Sequence, residues 1–164
     1  MPLKYIATTR FNDDTFKQYD NYKKKYNIHG CIYGSPFQIK EYIPLGSIIY
    51  IIEMNNSKNK IEGIGIIKNK IHLDKSYRIY QDKNYNRYIY KGNIRIDVAQ
   101  INDPYYKKLI HVLEQLLFKG ARHSKRATGI TQLPSWILNN KYHFDFVKCF
   151  NKLFKTYYNT IKKI

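Results

Sequence analysis

The run KYIATTRF, residues 4–11, is dense in β-branched and aromatic side chains and predicts a strand. The period then changes. Asn12 can cap the first free amides of a helix, Asp13 and Asp14 suit its positive end, and Phe11 can staple onto Phe16, so a helix is expected over 13–25. Gly30, Gly34 and Pro36 interrupt the pattern around Cys31, Ile32 and Tyr33, which predicts a structured loop over 30–36 able to line a pocket. Two apolar runs follow, SIIYIIE from Ser47 and KIEGIGII from Lys60, with the polar residues Asn55, Asn56 and Ser57 between them. That is the pattern of a hairpin. Its first strand is apolar on both faces and belongs at the centre of a sheet, while Gly63 and Gly65 mark a bulge or a close backbone approach.

Further strands are expected at about 76–80 and 87–97, where Ile94 and Ile96 alternate with Arg95 and Asp97, for a total of five. Asp103 before Pro104 opens a helix, and Tyr106, Leu109, Ile110, Leu113, Leu116 and Leu117 recur at helical spacing until Gly120. A last helix is predicted over 135–158, with Phe146, Phe150, Leu153 and Tyr157 on one stripe and Lys141, Lys148, Lys152 and Lys155 on its solvated remainder. The elements describe a mixed α+β fold in a single domain over 1–164, a length that supports one core.

Composition adds one strong constraint. Lysine and arginine number 29 against 12 acids, a formal charge of +17, and the 43% apolar content rules out wholesale disorder. Such self-repulsion is best tolerated beside a polyanion, so nucleic acid is the leading partner. The second half of the chain, from residue 83, carries 16 basic and 4 acidic residues and should form most of the basic face. An excess of Ile, Lys, Asn and Tyr, all with AT-rich codons, weakens arguments from counts and shifts weight onto position. A mean hydropathy of −0.58 and the short apolar runs argue against a membrane protein. With no apolar leader stretch at the N-terminus, a reducing cytoplasm is expected, or a virion if the source is viral, with Cys31 and Cys149 as free packed thiols. No Cys or His pair has zinc-ligand spacing, so neither a metal nor another cofactor is expected.

The densest basic cluster is GARHSKRATGI, residues 120–130. With Lys119 just before it, Arg122, His123, Lys125 and Arg126 form a loop suited to gripping phosphates. A base pocket is expected where the 30–36 loop meets the end of the first strand. Tyr33 would stack on a base, Ser35 would read its edge beside Cys31, and Thr9, Arg10 and Asn12 would lie close by. Two other classes stay open. A packaging protein needs only the basic face, and a metal-independent nuclease could pair His123 with His29 or His143. The chain lacks a P-loop, G-x-S-x-G, H-E-x-x-H or paired acidic metal motif, so no catalytic residue is assigned.

The order strand YIATTRF, helix, loop GCIYGSP and hairpin SIIYIIEMNNSKNKIEGIGIIKN resembles YTH and EVE domains of the PUA-like superfamily over about residues 4–97, with Ile61, Gly63 and Gly65 at the places of an F/I-x-G-x-G/A pattern. The resemblance implies a small β-barrel of about five strands flanked by three helices. It also implies binding of nucleic acid, RNA ahead of DNA, in some members with a modified base enclosed in an aromatic pocket lined by the segment matching 30–36. The family often places a tryptophan there, whereas this chain offers Gly30, Cys31 and Tyr33, and its one tryptophan is Trp136.

Overall fold

The computed structural model describes residues 4–162, with side chains through residue 158. In chain order the elements are β1 (Lys4–Phe11), α1 (Asp13–Lys25), β2 (Cys31–Ser35), β3 (Ile48–Asn55), β4 (Lys60–Lys68), β5 (Tyr88–Gly92), β6 (Ile94–Asp97), α2 (Pro104–Phe118), β7 (Thr131–Gln132), α3 (Ser135–Leu138) and α4 (Phe146–Lys162), with short 3-10 turns at Lys83–Asn86 and Val98–Gln100. The fold is mixed α+β, with seven strands in two sheets and four helices among the described residues.

Local chemistry explains the N-terminal elements. Asn12 Oδ1 accepts from the Thr15 amide at 2.8 Å while Thr15 Oγ1 accepts from the Asn12 amide at 2.9 Å, a reciprocal cap that fixes where β1 ends and α1 begins. Phe11 meets Phe16 edge-on, ring centroids 5.5 Å apart, as the staple requires. The expected hairpin is present as β3 and β4, and β3 is central: it pairs in parallel with β1 and antiparallel with β4.

The five-stranded sheet runs β6-β4-β3-β1-β7, and β2 and β5 form a separate antiparallel ladder. The large sheet ends in open edges at β6 and β7, so the expected barrel is not closed. The segment expected as one strand over 87–97 is two strands, broken at Asn93: β5 pairs with β2, β6 with β4, and the chain changes sheets between them. Residues 30–36, expected as a loop, supply β2, because its five residues are all buried and show no alternation to betray a strand. Residues 76–80 are irregular. The predicted helix over 135–158 is divided at 139–145, where His143 takes a φ of 53°.

Three layers result. On one face of the large sheet Ile6, Tyr50, Ile52 and Ile64 pack against Leu113 and Leu117 of α2 and Phe150 and Leu153 of α4. On the other, Ala7, Ile49, Ile51 and Ile67 pack against Tyr19 and Tyr22 of α1 and the Cys31, Ile32 and Tyr90 side chains of the β2–β5 ladder.

This second layer has a charged centre. Glu53 of β3 is wholly buried and receives Arg95 of β6 in a forked contact, Nη2 to Oε1 at 2.6 Å and Nε to Oε2 at 2.9 Å. The hydroxyls of Tyr33 and Tyr19 donate to the same Oε2 at 2.6 and 3.1 Å. Arg95 must cross β4 to reach its partner, and Gly63 is where it crosses: a Cβ there would lie 2.4 Å from Arg95 Nη2. Gly65 makes the matching room for Tyr33 Oη and Cys31 Sγ, 2.3 and 2.6 Å from its would-be Cβ. The two glycines of the I-x-G-x-G pattern are thus the gaps through which a buried ion pair and the second ladder reach the sheet.

Replacing Arg95 by Met strands a buried carboxylate and should cost about 3–5 kcal/mol in urea unfolding. The Glu53→Gln/Arg95→Met double variant keeps an acceptor for both tyrosines without a net charge and should be the more stable of the two. A double variant no better than the single one would show that charge burial is not the governing cost.

Candidate functional site

A cavity of about 540 Å³ opens where β1 ends and α1 begins. The carboxyl ends of the parallel strands β1 and β3 converge there, which is where open α/β sheets place ligands. Thr9, Arg10 and Phe11 come from β1, Asn12, Thr15 and Gln18 from the cap and first turns of α1, Asn56 from the β3–β4 turn. Tyr80 and Tyr85 face them from the segment between β4 and β5, and residues 125–129 close the remaining side.

The 125–129 segment is held from below by Arg10. Its Nη1 donates to the Ser124 carbonyl at 3.2 Å, and its Nη2 to the Gly129 carbonyl at 2.6 Å and to Thr131 Oγ1 at 3.1 Å. Burial lowers the Arg10 pKa to about 10, still far enough above neutrality to keep the guanidinium charged. Asn56 Nδ2 adds a fourth tie, donating to the Lys125 carbonyl at 2.9 Å. A loop whose carbonyls are fixed at Ser124, Lys125 and Gly129 presents the Lys125 and Arg126 side chains from a set backbone.

The opposite wall is fixed by Asn86. Its Oδ1 accepts from the amides of Ile79 and Tyr80 at 3.1 and 2.9 Å, and its Nδ2 donates to the Tyr80 carbonyl at 2.7 Å. Tyr80 is buried, and Tyr85 stands edge-on to it with centroids 6.3 Å apart and 38% of its surface exposed. Of the aromatic residues that line the cavity, Phe11, Tyr80 and Tyr85, Tyr85 is the most accessible. Asp14 and Asp82, both exposed, also line the cavity, with Asp14 Oδ2 accepting from Gln18 Nε2 at 2.9 Å and Asp82 Oδ1 from the Asn84 amide at 3.0 Å.

Of the residues expected to form a base pocket, Thr9, Arg10 and Asn12 are at the cavity. The fork of Arg10 is committed to the loop, and the Asn12 carboxamide oxygen is committed to the cap. Cys31, Tyr33 and Ser35 are not walls of it. Tyr33, 1% exposed, is bound to Glu53, Cys31 is wholly buried with its thiol pushed up to about 12 by desolvation, and Ser35 closes a turn on the Phe37 carbonyl at 2.7 Å. The strand character of 31–35 turns these side chains into the interior.

The expected phosphate loop is also divided. Lys125 and Arg126 reach the cavity, but the Arg122 guanidinium stacks on Trp136 at 4.3 Å and lines a different groove. His123 Nδ1 accepts from the Lys125 amide at 3.2 Å, which shapes the turn, and Lys119 is an exposed residue just past the end of α2. Tyr80, Tyr85, Gln18 and Asn56 escaped sequence reasoning. The only signal for them was the polar cluster Asp82, Asn84, Asn86, whose side-chain turns build the wall.

Among the described residues no helix is long and apolar enough to cross a membrane. Compared with known proteins, the chain matches no family model, no curated protein and no solved structure.

Arg10→Gln removes the charged ties at both ends of the loop, each worth about 1.5–3 kcal/mol. Native-state trypsin cleavage after Lys125 and Arg126, followed by mass spectrometry, should accelerate by at least about tenfold, which corresponds to 1.4 kcal/mol of opening free energy. An unchanged cleavage rate would mean that Arg10 does not hold the loop.

Proposed function

We propose that the chain binds single-stranded nucleic acid, RNA ahead of DNA, by seating one base in the cavity at the end of β1 while Lys125 and Arg126 hold the flanking phosphates. The observation that carries this reading is the convergence of three features on one cavity: the reachable ring of Tyr85, hydrogen-bonding groups on β1 and α1, and two cations on a pinned loop. A volume of about 540 Å³ lies within the range of small-molecule sites and accommodates a planar heterocycle.

The chemistry divides by position. Tyr85 supplies a stacking face that tolerates any base. Thr9, with the exposed carboxylates Asp14 and Asp82, meets the edge of the ring, and the carboxylates disfavour a phosphate on their side of the cavity. The backbone of the strand therefore runs along the Lys125–Arg126 rim. The overall charge of +17 supplies long-range attraction to the polyanion.

The likeness to YTH and EVE domains supports the same reading through the order of β1, α1 and the β3–β4 hairpin and through the two glycines of β4. In this chain the stacking role passes from Tyr33 to Tyr85.

Fluorescence anisotropy with single-stranded and duplex RNA and DNA, each with and without modified bases, tests the proposal. Tyr85→Ala should weaken single-strand binding by about 1–3 kcal/mol for every base alike while leaving the salt slope unchanged. Lys125→Ala/Arg126→Ala should weaken all sequences alike and lower the log–log salt slope by about 1.4, two contacts at 0.7 each for single strands. Binding that ignores all three substitutions would instead describe a protein that coats nucleic acid through its general charge.

A further inference from the structure

A second concavity, of about 760 Å³, lies along one flank of α2, bounded by α2, α3 and the 139–145 connection. Its interior is apolar: Leu109, Val112 and Leu116 of α2 face Trp136, Ile137 and Phe146. Its cations are Lys108, Arg122 and Lys141, and among the described residues no acidic side chain lines it. Tyr105, Tyr142 and Phe144 also line it with 58%, 79% and 37% of their surfaces exposed, large exposed rings around one groove of the kind that marks an interaction surface.

We infer that this groove receives an acidic amphipathic helix from a partner protein. The commitment to that occupant rests on charge and shape. A groove floored by apolar side chains and ringed by three cations without a carboxylate complements a helix with an apolar stripe flanked by Glu or Asp. From Tyr105 to Leu116 the groove follows twelve residues of α2, eleven rises of 1.5 Å or roughly 16 Å, which matches anchors at i, i+3 or i+4, and i+7 on a partner helix.

The alternatives fit less well. A second copy of this chain brings another +17 charge toward the same cations. A stacked nucleobase meets a Trp136 ring already covered by Arg122 at 4.3 Å. A lipid tail would lie in a groove whose marginal residues are largely solvated and would leave much of its length in water.

The groove also gives Arg122 a role. Stacked on Trp136, its guanidinium keeps a fixed place at the rim, ready for a bidentate contact with a carboxylate. This inference does not depend on the base-binding cavity, which is lined by none of the groove's residues.

The test uses the full chain and a fluorescein-labelled synthetic 16-residue peptide with Leu or Phe at i, i+3, i+4 and i+7 and Glu on its other face. Its two controls are a scrambled peptide of the same composition and a version with Lys in place of Glu. Anisotropy should show saturable binding of the acidic amphipathic peptide at least tenfold tighter than either control. Lys108→Glu/Lys141→Glu, at exposed positions that leave the fold intact by circular dichroism, should weaken it at least tenfold, and Tyr142→Ala should weaken it severalfold. Lys125→Ala/Arg126→Ala should leave it unchanged. Equal binding of the scrambled peptide, insensitivity to the groove substitutions, or saturation of the groove only by a single-stranded oligonucleotide or by fatty-acid vesicles would overturn the inference.

Discussion

A carboxylate with no exposed surface sits at the centre of the molecule, and most of the architecture can be traced to what is needed to satisfy it. Glu53 takes the fork of Arg95 and the hydroxyls of Tyr19 and Tyr33, so one side chain ties together β3, β6, α1 and β2. Burial of an unpartnered charge would be prohibitive, and the full set of donors makes it tolerable. The same geometry demands the two gaps in β4: side chains at 63 or 65 would collide with the groups that reach Glu53 or pack beside it. The arrangement fixes how α1 and the β2–β5 ladder lie on the sheet, and hence where the open corner at the end of β1 falls.

A second cation works at that corner in the opposite way. Arg95 neutralises a charge, whereas Arg10 has no acidic partner among the described residues and directs its terminal nitrogens to the carbonyls of Ser124, Gly129 and Thr8 and to the hydroxyls of Thr8 and Thr131. It turns a glycine-flanked basic stretch into a shaped rim. The cluster of cations so conspicuous in the chain is then shared between two surfaces, with Lys125 and Arg126 at the polar cavity and Arg122 across Trp136 at the apolar groove. One loop thereby contributes to two surfaces, the proposed base site on one side and the proposed helix groove on the other.

Elements governed by nearby residues were legible before any coordinates. The Asn12–Thr15 cap, the Phe11–Phe16 staple, the β3–β4 hairpin and the Asp103–Pro104 start of α2 all depend on partners a few positions away. What escaped depended on distance in the chain. Cys31–Ser35 looked like a pocket loop because a strand buried on both faces has no alternation, and nothing local tells Tyr33 that its hydroxyl belongs to Glu53. The division of the last helix turns on a left-handed His143 that the apolar stripe of Phe146, Phe150 and Leu153 does not foreshadow. The cavity itself was half legible: its β1 and loop residues were anticipated, while Tyr85 was hidden in a polar stretch ordered by Asn86.

The central functional claim is that a single base enters the corner formed by β1, α1, Tyr85 and the Arg10-pinned loop. Titration of ¹⁵N-labelled protein with a short single-stranded RNA, read as amide chemical-shift changes, tests it most directly. With a base seated in that corner, the largest changes gather at residues 9–12, 80–85 and 125–129 and saturate together. Changes confined to the exposed lysines of α4, or spread evenly over the basic surface with those three segments silent, would contradict it.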